Sequence, residues 1–135
     1  MTRTTGKASG TFAIKGWDEQ PYAEHEGAPK LTSACVTSAY GGDLEGEGTS
    51  GLLMLYDRDD ATYAGYERVV GSLGGRSGSF VLRLAGGFEA GAARTTWTVA
   101  EGTGTGELAG LRGEGGYVAR QGAAEVPYEL RWSLA

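Results

Sequence analysis

Between Glu67 and Leu84, apolar and polar residues alternate along two runs that meet at Gly74-Gly75. A period of two predicts half-buried strands, and a two-residue Gly-Gly link predicts a type I′ or II′ hairpin turn, in which one or both residues need positive φ. If Leu73 pairs with Arg76, counting outward sets Val69 opposite Phe80, Glu67 opposite Leu82 and Gly65 opposite Leu84. Glu67 then shares a face with Val69, Leu73, Phe80, Leu82 and Leu84. A carboxylate on an apolar sheet face needs a partner or a shifted pKa, because burying it bare is costly.

The same patterning predicts eight strands, near Gly6–Trp17, Lys30–Tyr40, Leu44–Tyr56, Ala61–Leu73, Arg76–Phe88, Ala92–Ala100, Leu111–Arg120 and Val126–Leu134. Turn residues such as Gly41-Gly42-Asp43, Asp57-Arg58-Asp59-Asp60, Glu89-Ala90-Gly91 and Gln121-Gly122 separate them. Links this short make neighbours antiparallel, since a parallel crossover needs about a dozen residues. Phe80, Leu82, Leu84 and Phe88 fall on one face of their strand. So do Ala93, Thr95, Trp97 and Val99, and Tyr128, Leu130, Trp132 and Leu134. The first strand reads both ways: Phe12 and Ile14 lie on one face, Thr11, Ala13, Lys15 and Trp17 on the other. An all-β, eight-stranded antiparallel barrel follows, with a two-sheet sandwich as the other solution. Such a barrel holds either packed side chains or one small ligand.

Composition narrows the picture. The 135 residues fit a single β-barrel domain spanning 1–135. The 25 glycines show no Gly-X-Y period, so they mark turns, bulges and strand bends rather than collagen. A net charge of −5 with scattered basic residues argues against a nucleic-acid partner. No apolar run approaches the roughly 18 residues of a membrane-spanning helix, and Met1 to Lys7 lacks the apolar core of a secretory signal. A cytoplasmic location without membrane contact is the expectation. Cys35, the single cysteine, has no partner for an internal disulfide.

Glu67 is the leading candidate for chemistry, as a general acid or base in an apolar cavity. Its alternative is a structural carboxylate, ion-paired or wet at the barrel mouth. If Lys15 and Trp17 face inward, Lys15 is the partner of Glu67 or an amine nucleophile. If Phe12 and Ile14 face inward instead, Lys15 is a solvated strand residue. Trp17, Tyr63, Phe80, Leu82, Leu84, Trp97, Tyr117 and Trp132 are the candidate walls of a ligand site, or else the filling of a closed barrel. Glu45 and Glu47 share a face without further ligands nearby, and Asp57–Asp60 lacks the glycine and distal glutamate of a calcium loop, so no metal site is expected. His25 sits in a loop signature. Cys35, in mid-strand, is expected as a buried small apolar residue. Gly104–Gly110 lacks the Gly-Lys-Ser/Thr ending of a phosphate loop and reads as a tight crossing before the seventh strand.

Several segments resemble an uncharacterised bacterial family, a domain of unknown function with the allene oxide cyclase barrel-like fold. They are Phe12–Tyr22, Pro29–Thr32, Gly46–Thr49, the Glu67–Leu82 hairpin and Gly104–Gly115, which together span almost the whole chain. The resemblance implies the eight-stranded barrel, a homo-oligomer, no cofactor, and an apolar interior that guides a reactive small molecule. The family pattern often continues Leu-Gln-His after the Gly-Gly turn, where this chain has Leu82-Arg83-Leu84. A histidine there would sit diagonal to Glu67 and form an acid–base pair; Leu84 does not. Three functions fit: a barrel binding a small apolar molecule, a cofactor-free cyclase or isomerase using Glu67, and a structural module with a filled barrel.

Overall fold

The computed structural model describes residues 3–135, and in them the alternating runs become one closed sheet. The strands are β1 (Thr4–Pro21), β2 (Leu31–Gly42), β3 (Leu44–Asp57), β4 (Asp60–Leu73), β5 (Arg76–Glu89), β6 (Ala92–Val99), β7 (Thr105–Gly106), β8 (Arg112–Arg120) and β9 (Val126–Leu134). Hydrogen bonding runs β4-β3-β2-β1-β9-β8-β6-β5, and the β4–β5 hairpin closes the ring into an eight-stranded antiparallel barrel. The two-residue β7 pairs with Gly78 and Ser79, continuing along β5 the lane that β6 leaves at Leu82. The β4–β5 register is the one the alternation predicts: Leu73 opposite Arg76, Val69 opposite Phe80, Glu67 opposite Leu82 and Gly65 opposite Leu84. Gly74 and Gly75 have φ of 57° and 83°, so both turn residues use the conformation that glycine adopts without strain. Among the described residues no helix is long and apolar enough to cross a membrane.

A β-bulge settles the two-way reading of the first strand. The β1–β2 register jumps between Ile14↔Ser38 and Gly16↔Thr37, leaving Lys15 as the extra residue. The bulge reverses the phase of the alternation. Phe12 and Ile14 therefore face the barrel interior before it, and Trp17 faces it afterwards, opposite Val36. Lys15 is exposed and does not touch the interior cavity. Cys35 also departs from expectation: it is exposed, because its neighbours Ala34 and Val36 take the inward positions of β2.

The barrel is filled at one end and open at the other. Leu44, Val69, Leu73, Phe80, Leu82, Trp97 and Leu130 pack the filled half, each almost wholly removed from water. Leu108 and Leu111, from the segment linking β7 to β8, close its base. Tyr128 ties this end to the β2–β3 turn, accepting from the Leu44 amide at 3.0 Å and donating to the Gly41 carbonyl at 2.9 Å. Trp97 Nε1 is a buried donor that finds no partner among the described residues. Truncating Leu108 to alanine removes a plug that cannot collapse onto neighbouring strands. Urea unfolding of Leu108→Ala is expected to show a loss of about 2–5 kcal/mol.

Candidate functional site

The open half encloses a cavity of about 400 Å³. Trp17, Tyr56 and the Arg58-Asp59 hairpin tip surround its mouth; Tyr63, Leu84 and Tyr117 form walls; Tyr40 and Glu67 lie at its floor. An aromatic cluster joins the cavity lining to the filled half: Phe12 meets Tyr40 at 5.1 Å and Tyr117 at 4.9 Å between ring centroids, and Tyr117 meets Trp97 of the filled half at 5.6 Å. Edge-to-face and tilted contacts of this kind hold rings more firmly than their area alone. Tyr63 shares a 2.5 Å hydrogen bond with Thr95, giving the wall a second polar point.

Glu67 comes from the middle of β4, where period-two alternation sends its side chain inward between Ser50 of β3 and Leu82 of β5. It is 4% exposed, and Tyr40 Oη donates to its Oε2 at 2.7 Å. Space for the carboxylate comes from Gly48, since a Cβ at that position would lie 2.0 Å from Oε2. Burial raises the carboxyl from its ordinary 4.5 to about 7, and the Tyr40 hydrogen bond pulls weakly the other way. Burial, with the Glu67 charge beside it, also pushes the Tyr40 phenol well above the ordinary tyrosine value. The floor is thus a carboxyl poised to hold or release a proton near neutrality, next to a phenol that stays protonated.

A second carboxylate, Glu19, sits at the rim with the opposite character. Oε2 accepts from Thr32 Oγ1 at 2.6 Å and from the Tyr56 hydroxyl, and Oε1 accepts from Trp17 Nε1 at 2.9 Å. Desolvation pushes this carboxyl up, but the three donors and nearby Lys30 outweigh it and hold it below the ordinary value. Lys30 itself lies 4.8 Å from the Tyr56 ring centre. Among the described residues no group of three His, Cys, Asp or Glu side chains is placed to hold a metal.

A family model described as a protein of unknown function, DUF3224, matches residues 8–132, nearly the whole barrel. The chain belongs to the DUF3224 family. A crystal structure of a protein with unknown function from this family, from Shewanella oneidensis MR-1, is similar at 28% identity with a TM-score of 0.78. The match covers 98% of this chain and 99% of that one. No curated protein matches the chain. The fold of this chain is therefore shared with that relative over nearly the whole of both chains.

In this DUF3224 barrel, Glu67 meets Trp17, Tyr63, Leu84 and Tyr117 around one cavity, as four of the candidate walls. Phe80, Leu82 and Trp97 do not reach it; they are fully buried in the filled half. Trp132 lies at the closed end, half-buried, with the Arg76 guanidinium 5.5 Å from its ring centre. Lys15 stands outside, as the inward positions of Phe12 and Ile14 require, and does not meet Glu67. Tyr40 and Glu19 were missed. Tyr40 carried one available signal: it lies an even number of residues from Val36, on the inner face of β2. Glu19 carried none, because the bulge that turns it inward is silent in the pattern. Glu67 also makes folding depend on pH. Between its unfolded value of 4.5 and its folded value of about 7 the native state keeps a proton that the unfolded chain has lost. Stability therefore falls as pH rises through that window, by about 3 kcal/mol in all. Thermal unfolding of Glu67→Gln and the parent from pH 4 to pH 8.5 is expected to shift by about that amount in favour of the variant.

Proposed function

We propose that the protein binds a small, mostly apolar molecule in the open half of the barrel, anchored by Glu67 and Tyr40. The observation that carries this reading is the cavity of about 400 Å³ with a buried, hydrogen-bonded carboxyl at its floor. Its volume falls in the range of small-molecule sites, and its few polar groups converge among apolar walls, as such sites require. A packing role alone gives no reason to keep a carboxyl there, since folding would be more favourable with an apolar residue. In isothermal titration a neutral aromatic alcohol, 2-phenylethanol, is expected to bind one-to-one and saturably. Leu84→Trp, which fills the cavity from β5, is expected to remove that binding while the protein stays folded. Unchanged binding by Leu84→Trp would place the ligand elsewhere.

A second reading rests on the Glu67 carboxyl lying near 7. An acid or base works best when its pKa is near the working pH, and the rim carboxylate Glu19 is held in the opposite direction. In a cofactor-free cyclase or isomerase, Glu67 would move a proton on a substrate folded against Tyr63 and Tyr117. Such a base should speed exchange of the α-protons of a bound aryl ketone in D₂O, followed by NMR. Glu67→Gln is expected to abolish the acceleration while apolar affinity stays within about tenfold. Loss of both together would make Glu67 an anchor rather than a base.

A further inference from the structure

Glu67 is a buried carboxyl without a counter-charge among the described residues. Every ion pair among the described residues is on the surface: Lys7 with Glu129, Arg112 with Glu101, and Arg131 with Glu114 and Glu129. From the strands packed around it, Glu67 faces Tyr40 of β2, Gly48 and Ser50 of β3, Leu82 of β5 and Tyr117 of β8. None of these carries a positive charge. Tyr40 occupies Oε2, and among the described residues no side chain donates to Oε1.

The space in front of that carboxyl is walled by aromatic rings, including Phe12, Trp17, Tyr63 and Tyr117. Aromatic faces attract cations, and a cation desolvated against them gains more than one left in water. Hydrogen bonds from an ammonium to a carboxylate are also roughly twice as strong as neutral ones. An anionic head group would instead be pressed against Glu67. The cation on the cavity wall is Arg58, at the mouth, and it is flanked by Asp57, Asp59 and Asp60 in the same hairpin tip. The net charge of −5 adds a field that draws cations toward the protein.

We propose, on the basis of the small-molecule reading above, that the ligand is an organic ammonium ion, its protonated amine seated on Glu67 and its apolar body held between the rings of Phe12, Trp17, Tyr63 and Tyr117. The amine supplies the counter-charge that the chain omits. Below neutrality the incoming ammonium displaces the proton of Glu67, so binding releases a proton to the buffer.

The test compares three phenethyl probes that differ in head group by isothermal titration: phenethylamine, 2-phenylethanol and hydrocinnamate. At pH 8.5, where this amine is still charged, it is expected to bind at least about tenfold more tightly than the alcohol, and the carboxylate more weakly than either. From pH 8.5 to pH 5.5 the amine's affinity is expected to fall by roughly thirtyfold, as Glu67 takes up its proton, while the alcohol's stays level. Glu67→Gln should lose the amine's advantage over 2-phenylethanol, with the variant's fold checked by its near-ultraviolet circular dichroism. If that variant does not fold, the pH dependence of the parent decides alone. Equal affinity for amine and alcohol, or an amine affinity indifferent to pH, overturns the ammonium assignment and leaves the apolar site standing. Binding of none of the three overturns both.

Discussion

An ionisable carboxyl enclosed by apolar and aromatic side chains is the constraint around which the open half of this barrel is arranged. A charge moved from water into such surroundings is penalised by several kcal/mol unless something compensates it. Here three features share the compensation. Tyr40 donates one short hydrogen bond, Gly48 gives up its side chain so that the carboxyl has room, and the carboxyl itself retains a proton up to near-neutral pH. Each costs something: a buried phenol, a glycine inside a strand, a stability that declines as the pH rises. Native proteins concede such local losses at sites of function, and among the described residues the filled half makes no comparable concession to a charged group.

The two ends of the barrel divide their tasks. At the closed end the chain folds Leu108 and Leu111 beneath the packed core, and Tyr128 pins the β2–β3 turn. At the open end the strands enclose the cavity and several turns hold unusual conformations. The non-glycine residues with positive φ are Ala23, Arg58 and Ala90, and all three lie in connections at the open end. The left-handed conformation costs an ordinary L-residue roughly 1 kcal/mol or more. Strain of that kind gathers where geometry serves a site rather than stability. Arg58, on the cavity mouth, joins the two observations.

Much of this was legible in one dimension. All eight barrel strands, the β4–β5 register, and the inward position of Glu67 follow from alternation and turn chemistry, because side-chain direction in a strand repeats every two residues. Leu84 was recognisable as inward-facing for the same reason, whereas Tyr63 and Tyr117 were candidates as aromatic residues only. The lane taken by β7 was not, since two residues carry no period. Cys35 went astray because a small side chain in mid-strand can occupy either face, and Ala34 and Val36 claim the inner one.

The sequence by itself determined eight antiparallel strands and placed a carboxyl on an apolar sheet face, since both depend on local periodicity and on the conformational limits of turn residues. Only the tertiary structure decided which inward residues meet. The bulge at Lys15 shifts β1 by one residue, leaves the lysine outside, and brings Trp17 and Glu19 to the cavity rim. The stagger of β2, β3 and β4 sets Tyr40 beside Glu67 over Gly48, across 27 residues of chain. Barrel closure separates Phe80, Leu82 and Trp97, which fill one half, from Tyr63, Leu84 and Tyr117, which line the other. Alternation tells which way a side chain points but not how far along the barrel axis it lies, because that height depends on the stagger between strands and on how the closing segment fills one end.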